Sequence, residues 1–372
     1  MRIVTRLVLV VLLVVCVASC TQVPEQSSEQ PVSSVPPTPT PTPTPTEPPV
    51  VKVADPWYPS DFQNGIQIYW HYVASDYDVK DKIAKLLDYA VSLGANSVGI
   101  TFPIYTDGVT PTYVYTDADT PSVEQMALIL DAAKKRDLRV LLRPLIYEAN
   151  IVAESANDWR GSIRVADVDQ WFASYSEVLL RYVPVADEYD VDEFVAGTEL
   201  VSMQQYTANW QQLIQQLQAA GFTQQITYSA NWSTPLNPAF QANGVDAYPA
   251  VELGDDASVE QLAGAIAGWM TGAFPPEVRA HLTVQEAGIP AISGMYAHPW
   301  YWGVGDYTLD YTIQANWFSA MCQATHAAGL QGIYYWALDT NIDFANHDPA
   351  TDYSASFYNR PAADSIRQCF TT

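Results

Sequence analysis

Residues 191–200 read VDEFVAGTEL, an apolar run of strand length that ends in a glutamate. A carboxylate closing a core segment costs free energy unless it is paired, solvated or used. Seven other segments have the same character: GIQIYWHY (65–72), ANSVGITFPIY (95–105), LRVLLRPLIY (138–147), QITYSANW (225–232), NGVDAYPAV (243–251), LTVQEAGIP (282–290) and GIYYWALD (332–339). Several are apolar nearly throughout, as strands buried on both faces of a parallel sheet are. Helical patterns fill most of the gaps. VKDKIAKLLDYAVSLG carries Ile83, Leu86, Leu87, Ala90 and Val91 on one face and stops at Gly94. Thr120 and Pro121 read as an N-cap and a first helical residue, and Asp167 opens another helix. Strand then helix, repeated about eight times, is the order of an α/β fold with a single (β/α)8 TIM barrel. Between Trp232 and Asn243 there is room for only a turn or two of helix, which keeps an open doubly wound sheet as the runner-up. In a barrel the carboxyl ends of the strands surround the site. Glu199, ending the fourth predicted strand, then faces a mouth and not a core.

The flanks of this domain are of a different kind. Residues 1–19 read as a lipoprotein-type signal peptide: Arg2 and Arg6 precede the apolar run Leu7 to Val17, and VASC ends at Cys20, the expected lipidation site. Residues 20–50, with PPTPTPTPTPTEPP, read as a disordered Pro/Thr-rich linker, an extended spacer of about 3.1 Å per residue. Residues 51–372 are left for the barrel. The expected location is outside the cytoplasm, on the cell envelope, with a lipid anchor as the membrane partner. The chain carries a net charge of −24, and −26 once Arg2 and Arg6 are removed. Such a balance excludes a nucleic-acid partner and disfavours anionic substrates. The run DEYDVDEF (187–194) reads as an exposed loop. There is no HExxH, no CxxC and no glycine-rich phosphate loop, so neither a metal nor an organic cofactor is expected. Cys322 and Cys369, the cysteines of the folded part, are expected to form one disulfide between the last two helices.

A second glutamate, Glu286 in TVQEAG, ends the seventh predicted strand. Ends four and seven face each other across an eight-stranded mouth. Two carboxyls placed so can flank a sugar–sugar bond, one giving and taking a proton while the other attacks the anomeric carbon. Other strand ends carry residues suited to sugars. Trp70, Trp232 and Trp336 end the first, fifth and eighth strands, and aromatic faces stack on sugar rings. Trp336 is the expected platform at the cleavage point. Tyr248 is placed to hydrogen-bond the nucleophile, Asn231 a sugar hydroxyl, and Arg143 a carboxylate or the substrate. MYAHPWYWG (295–303) reads as a cleft wall, with His298 as a substrate contact.

DWRGSI (158–163), WFASY (171–175), FVAGTEL, NWQQLI (209–214), ITYSANW, GVDAYP, VQEAG and GIYYWALD occur in that order. In these pieces the chain resembles the retaining glycoside hydrolases of clan A, and most of all glycoside hydrolase family 113, known for β-1,4-mannanases. The resemblance covers most of Val51 to Thr372. It implies that Glu199 is the acid/base, in a GTE motif, and Glu286 the nucleophile, although QEAG stands where TEIG would be closer to the pattern. It also implies a short fifth helix. The expectation is a retaining endo-glycosidase of a neutral β-1,4-linked polysaccharide or oligosaccharide, most of all β-mannan, acting as a monomer. The alternatives are a clan relative acting on xylan, glucan or chitosan, and a non-catalytic glycan-binding surface lipoprotein.

Overall fold

Nine strands form one sheet, and eight of them close on themselves. In the computed structural model the described residues are 49–301 and 307–371. The expected signal peptide, Cys20 and the expected linker through residue 48 lie outside them, as does part of the 295–303 stretch expected to form a wall. The strands are β1 (Gln63–Tyr69), β2 (Ser97–Thr106), β3 (Val114–Tyr115), β4 (Arg139–Ile146), β5 (Glu193–Thr198), β6 (Gln225–Asn231), β7 (Ala242–Asp246), β8 (Thr283–Ala287) and β9 (Gly332–Asp339). All except β3 are parallel, and β1 pairs with both β2 and β9, which closes the barrel. β3 is a short antiparallel arm on the outer end of β2. The fourth and seventh barrel strands are therefore β5 and β8.

Helices cover the outside: α1 (Asp76–Ser92), α2 (Val123–Lys134), α3 (Ala149–Glu154), α4 (Val168–Leu180), α5 (Val183–Glu188), α6 (Thr207–Ala219), α7 (Val259–Ala273), α8 (Pro276–Arg279), α9 (Tyr311–Ala328) and α10 (Pro361–Phe370). α1 buries Val79, Ile83, Leu86, Leu87 and Ala90, one stripe at helical spacing. α2 starts two residues later than its proline suggests. Ser122 caps it in a reciprocal box with Gln125, while the Thr120 hydroxyl donates to the Pro103 carbonyl. No helix joins β6 to β7; the connection is made of turns, so the ring of helices is open there. No helix among the described residues is long and apolar enough to cross a membrane. α9 and α10 are joined by a disulfide between Cys322 and Cys369.

The barrel interior holds a column of polar side chains, most of whose groups bond one another. Near the amino ends of the strands Arg139 pairs with Glu193 at 2.5 Å and donates to the Tyr334 hydroxyl at 2.7 Å. Glu193 also accepts from Thr227 and Gln285. Glu193 thus lies inside the barrel; of DEYDVDEF, Asp187 and Glu188 end α5, and only Tyr189 to Asp192 form the connection into β5. A strand alternates faces, and the residue after Asp192 turns inward. Two glycines make room for this column. A Cβ on Gly65 would lie 2.2 Å from the Tyr334 ring, and one on Gly99 2.0 Å from the Gln67 amide oxygen.

Candidate active site

At the carboxyl ends of the strands the barrel opens into a cavity of about 520 Å³. Glu199 and Glu286 both line it, with Glu148, Trp159, Arg160, Asn231, Trp232, Ser233, Tyr248, Trp300 and Trp336. Its size falls within the range of about 300–1,000 Å³ usual for small-ligand sites.

Glu199 follows the last residue of β5 with φ of +52°. Left-handed backbone is costly for a residue with a Cβ and is held only where the surroundings determine it. Here the Glu199 N–H donates to the Ser229 carbonyl of β6 at 2.8 Å, and its own carbonyl accepts from Val201. The chain thus leaves the sheet sharply and turns the carboxyl into the mouth. Each of its oxygens has a partner: Asn231 Nδ2 donates to Oε1 at 2.7 Å, and Arg160 Nη1 to Oε2 at 2.8 Å. Arg160 is itself fixed by the Ile146 carbonyl and by Glu148, 3.3 Å from its Nε. Burial pushes the Glu199 carboxyl above the usual carboxylate range; the nearby Glu286 adds to this, and Arg160 and Asn231 oppose it.

Glu286, on β8, is buried and clamped at both oxygens. Arg143 Nη2 lies 2.8 Å from Oε1, and the Tyr248 hydroxyl donates to Oε2 at 2.8 Å. Burial, with the adjacent Glu286, drives the Tyr248 phenol well above its ordinary pKa, so it stays a donor. Beneath them Arg143 also pairs with Asp246 at 2.6 Å and donates to Thr198, and Asp246 accepts from Ser229. This chain of bonds ties β4, β5, β6, β7 and β8 together under the mouth. Trp232 stacks on Trp300 with centroids 5.2 Å apart, and Trp336 packs 5.4 Å from Tyr69. The Trp336–Ala337 peptide is cis.

Glu199, Glu286, Asn231, Trp232, Tyr248 and Trp336 are thus brought to one cavity, and three expected substrate contacts are not. Trp70 is a core residue, 2% exposed. Alternation along β1 points Tyr69 to the mouth and Trp70 to the helix layer, so Tyr69 takes the place expected of Trp70. Arg143 is wholly buried and meets Glu286 and the Trp336 ring from inside the barrel, so of its two expected partners it takes the carboxylate and not the substrate. His298 is exposed and off the cavity; it meets Trp300 edge-on at 5.7 Å. Asn231 spends its amide on Glu199, and its carbonyl accepts from Ser233. Arg160, Glu148, Trp159, Asp246, Tyr69 and Trp300 were not singled out from the sequence. Arg160 and Trp159 sit in DWRGSI, GVDAYP holds Asp246, and Trp300 belongs to the expected wall. Their motifs were the signal, without a spacing that shows which side chain points inward. Among the described residues one metal-type cluster occurs, Cys322, His326 and Cys369, and its two cysteines are spent in the disulfide.

The sequence model of Glycoside Hydrolase Family 113 matches residues 68–360. Among curated proteins none matches the sequence. Among solved structures, a complex of a family 113 β-1,4-mannanase is similar with a TM-score of 0.68 at 18% identity, over 84% of this chain and 99% of that one. A family 113 β-mannanase from Alicyclobacillus acidocaldarius gives 0.65 at 19%, over 84% and 97%. An endo-β-1,4-mannanase from Thermotoga petrophila gives 0.53 at 10%, over 84% and 77%. At these identities the likeness speaks for the barrel, while the family match runs from the end of β1 to the start of α10 and takes in both glutamates. The chain accordingly belongs to glycoside hydrolase family 113 and is a hydrolase of O-glycosyl bonds.

Proposed function

We propose that the enzyme is a retaining endo-β-1,4-mannanase working by double displacement. The observation that carries this reading is the pair of glutamates in one cavity with unlike surroundings. Glu199 is kept protonatable by burial, whereas Glu286 is oriented at both oxygens by donors. Glu286 attacks the anomeric carbon as Glu199 gives its proton to the leaving sugar oxygen, and the glycosidic bond breaks. The ionised Glu199 then takes a proton from water, whose oxygen displaces Glu286 from the anomeric carbon. Arg160 and Asn231 hold the carboxylate that exists between the two steps. Trp336 and the Trp232–Trp300 stack offer ring faces to the sugars. The mannan preference follows the two family 113 structures named above, both described as β-mannanases.

The test is reducing-end release by the purified enzyme across mannan, glucomannan, xylan, mixed-linkage glucan and chitosan. Release from the mannans, lost in Glu199→Gln and Glu286→Gln, is expected. Release from another glycan would overturn the substrate. An NMR time course in which the inverted anomer forms first would overturn the mechanism. We further propose export and anchoring through a lipid on Cys20, followed by the Pro/Thr-rich spacer. Cys20→Ala should then move the enzyme from the membrane fraction to the soluble one.

A further inference from the structure

Beyond the cavity, the rim of the barrel carries an aromatic surface that the chemistry above does not use. β2 rises past its neighbours and folds back on β3, pairing Tyr105 with Tyr115 and Thr106 with Val114. Residues directly opposite on two strands share a face, and so do residues two apart. Tyr105, Tyr115 and Tyr113 therefore lie on one face of the hairpin. Tyr113 and Tyr115 have centroids 5.7 Å apart, and Tyr105 and Tyr115 5.9 Å. Tyr147, at the end of β4, packs on Tyr105 at 5.8 Å, and its N–H extends the ladder to Ile104. The other face does the structural work. Val114 and Thr106 are buried, and the Val114 N–H donates to Ser174 of α4. A hairpin anchored this way folds with polar residues outside. Tyr105 is itself buried and Tyr115 half-buried, but Tyr113 is 46% and Tyr147 38% exposed.

We propose that this tyrosine face is a second carbohydrate-binding surface, which holds sugar units of the same neutral β-glycan away from the bond being cleaved. This rests on the glycan-hydrolase reading above. Continuity with the cavity argues for that occupant: Tyr147 directly precedes Glu148, which lines the cavity and steadies Arg160. Chemistry argues for it too. Tyrosine offers an apolar ring to a sugar face while its hydroxyl stays in water. Asp107, Asp117 and Asp119 near the hairpin can accept from sugar hydroxyls and would repel an acidic polymer.

The double variant Tyr113→Ala/Tyr147→Ala tests this, beside Tyr113→Phe/Tyr147→Phe, which keeps the rings. Retardation in native gels containing soluble glucomannan reads binding without hydrolysis. Values of kcat/KM on glucomannan and on mannotriose read the effect of chain length. The alanine pair should lose retardation and about tenfold in kcat/KM on the polymer, through KM, with little change on mannotriose. The phenylalanine pair should keep both, with an unchanged melting temperature. Equal retardation of parent and alanine pair, no retardation of the parent, or equal losses on long and short substrates would each overturn the proposal. Retardation lost in the alanine pair of an enzyme that cleaves neither mannan would leave this surface standing and overturn the mannanase reading instead.

Discussion

Glu199 is held between two opposed influences, burial and a guanidinium, and each can be removed separately. Its proton is bound more tightly in the folded chain than in the unfolded one. Its contribution to stability is therefore present below the ordinary carboxylate range and is lost as pH rises through the raised value. Glu199→Gln cannot lose it. The variant should be more stable than the parent at neutral pH and lose that advantage on acidification, as denaturant titrations at two pH values would read. Its hydrolysis should fall by about 10²–10⁴-fold. Removing the guanidinium instead, in Arg160→Gln, favours the protonated carboxyl still further. The basic limb of the pH profile of kcat/KM should then move up in pH as the rate falls, and a downward move would contradict the geometry. Glu199 and Glu286 were legible because strand ends are visible in a sequence. Arg160 was not, because it arrives from a loop between α3 and α4, and only the folded chain shows that it faces Glu199.

At the scale of elements, burial on both faces makes parallel strands readable, and β2, buried in every residue, is the clearest case. The two-residue β3 left no periodic trace, since two residues cannot show alternation. The helix expected between β6 and β7 is missing because ten residues are taken up by turns. The inward and outward faces of a strand were harder still where both are buried, which is why Trp70 and Tyr69 exchange places. Fit inside the barrel is tight enough to test. The Tyr334 ring that abuts Gly65 is held by its hydroxyl between Arg139 and Gln63 and cannot swing aside. Gly65→Ala should cost about 1–3 kcal/mol, measured by denaturant titration.

For the whole molecule, the last helix is fastened to the barrel wall in two ways. The Phe370 carbonyl accepts from Asn64 of β1, and Cys369 is bonded to Cys322 of α9 across 47 residues of chain. A loop of that length corresponds to at most about 4 kcal/mol of denatured-state entropy. Cys322→Ala/Cys369→Ala, or reduction, should lower the melting temperature by several degrees while activity at room temperature persists. None of the groups that line the mouth belongs to α9 or α10. The barrel class was readable because it rests on the order of elements along the whole chain. The polar column inside was not, because Arg139, Glu193 and Gln285 are indistinguishable from surface residues until their partners are seen.

The left-handed backbone at position 199 sets folding and chemistry at odds in a single residue. Glycine, or asparagine, would suit that conformation better than glutamate does. A descendant of this barrel that no longer cut sugars would lose nothing by the exchange and would fold more easily. On the acid/base role proposed above, position 199 is therefore where a lineage drifting from enzyme to lectin should change first.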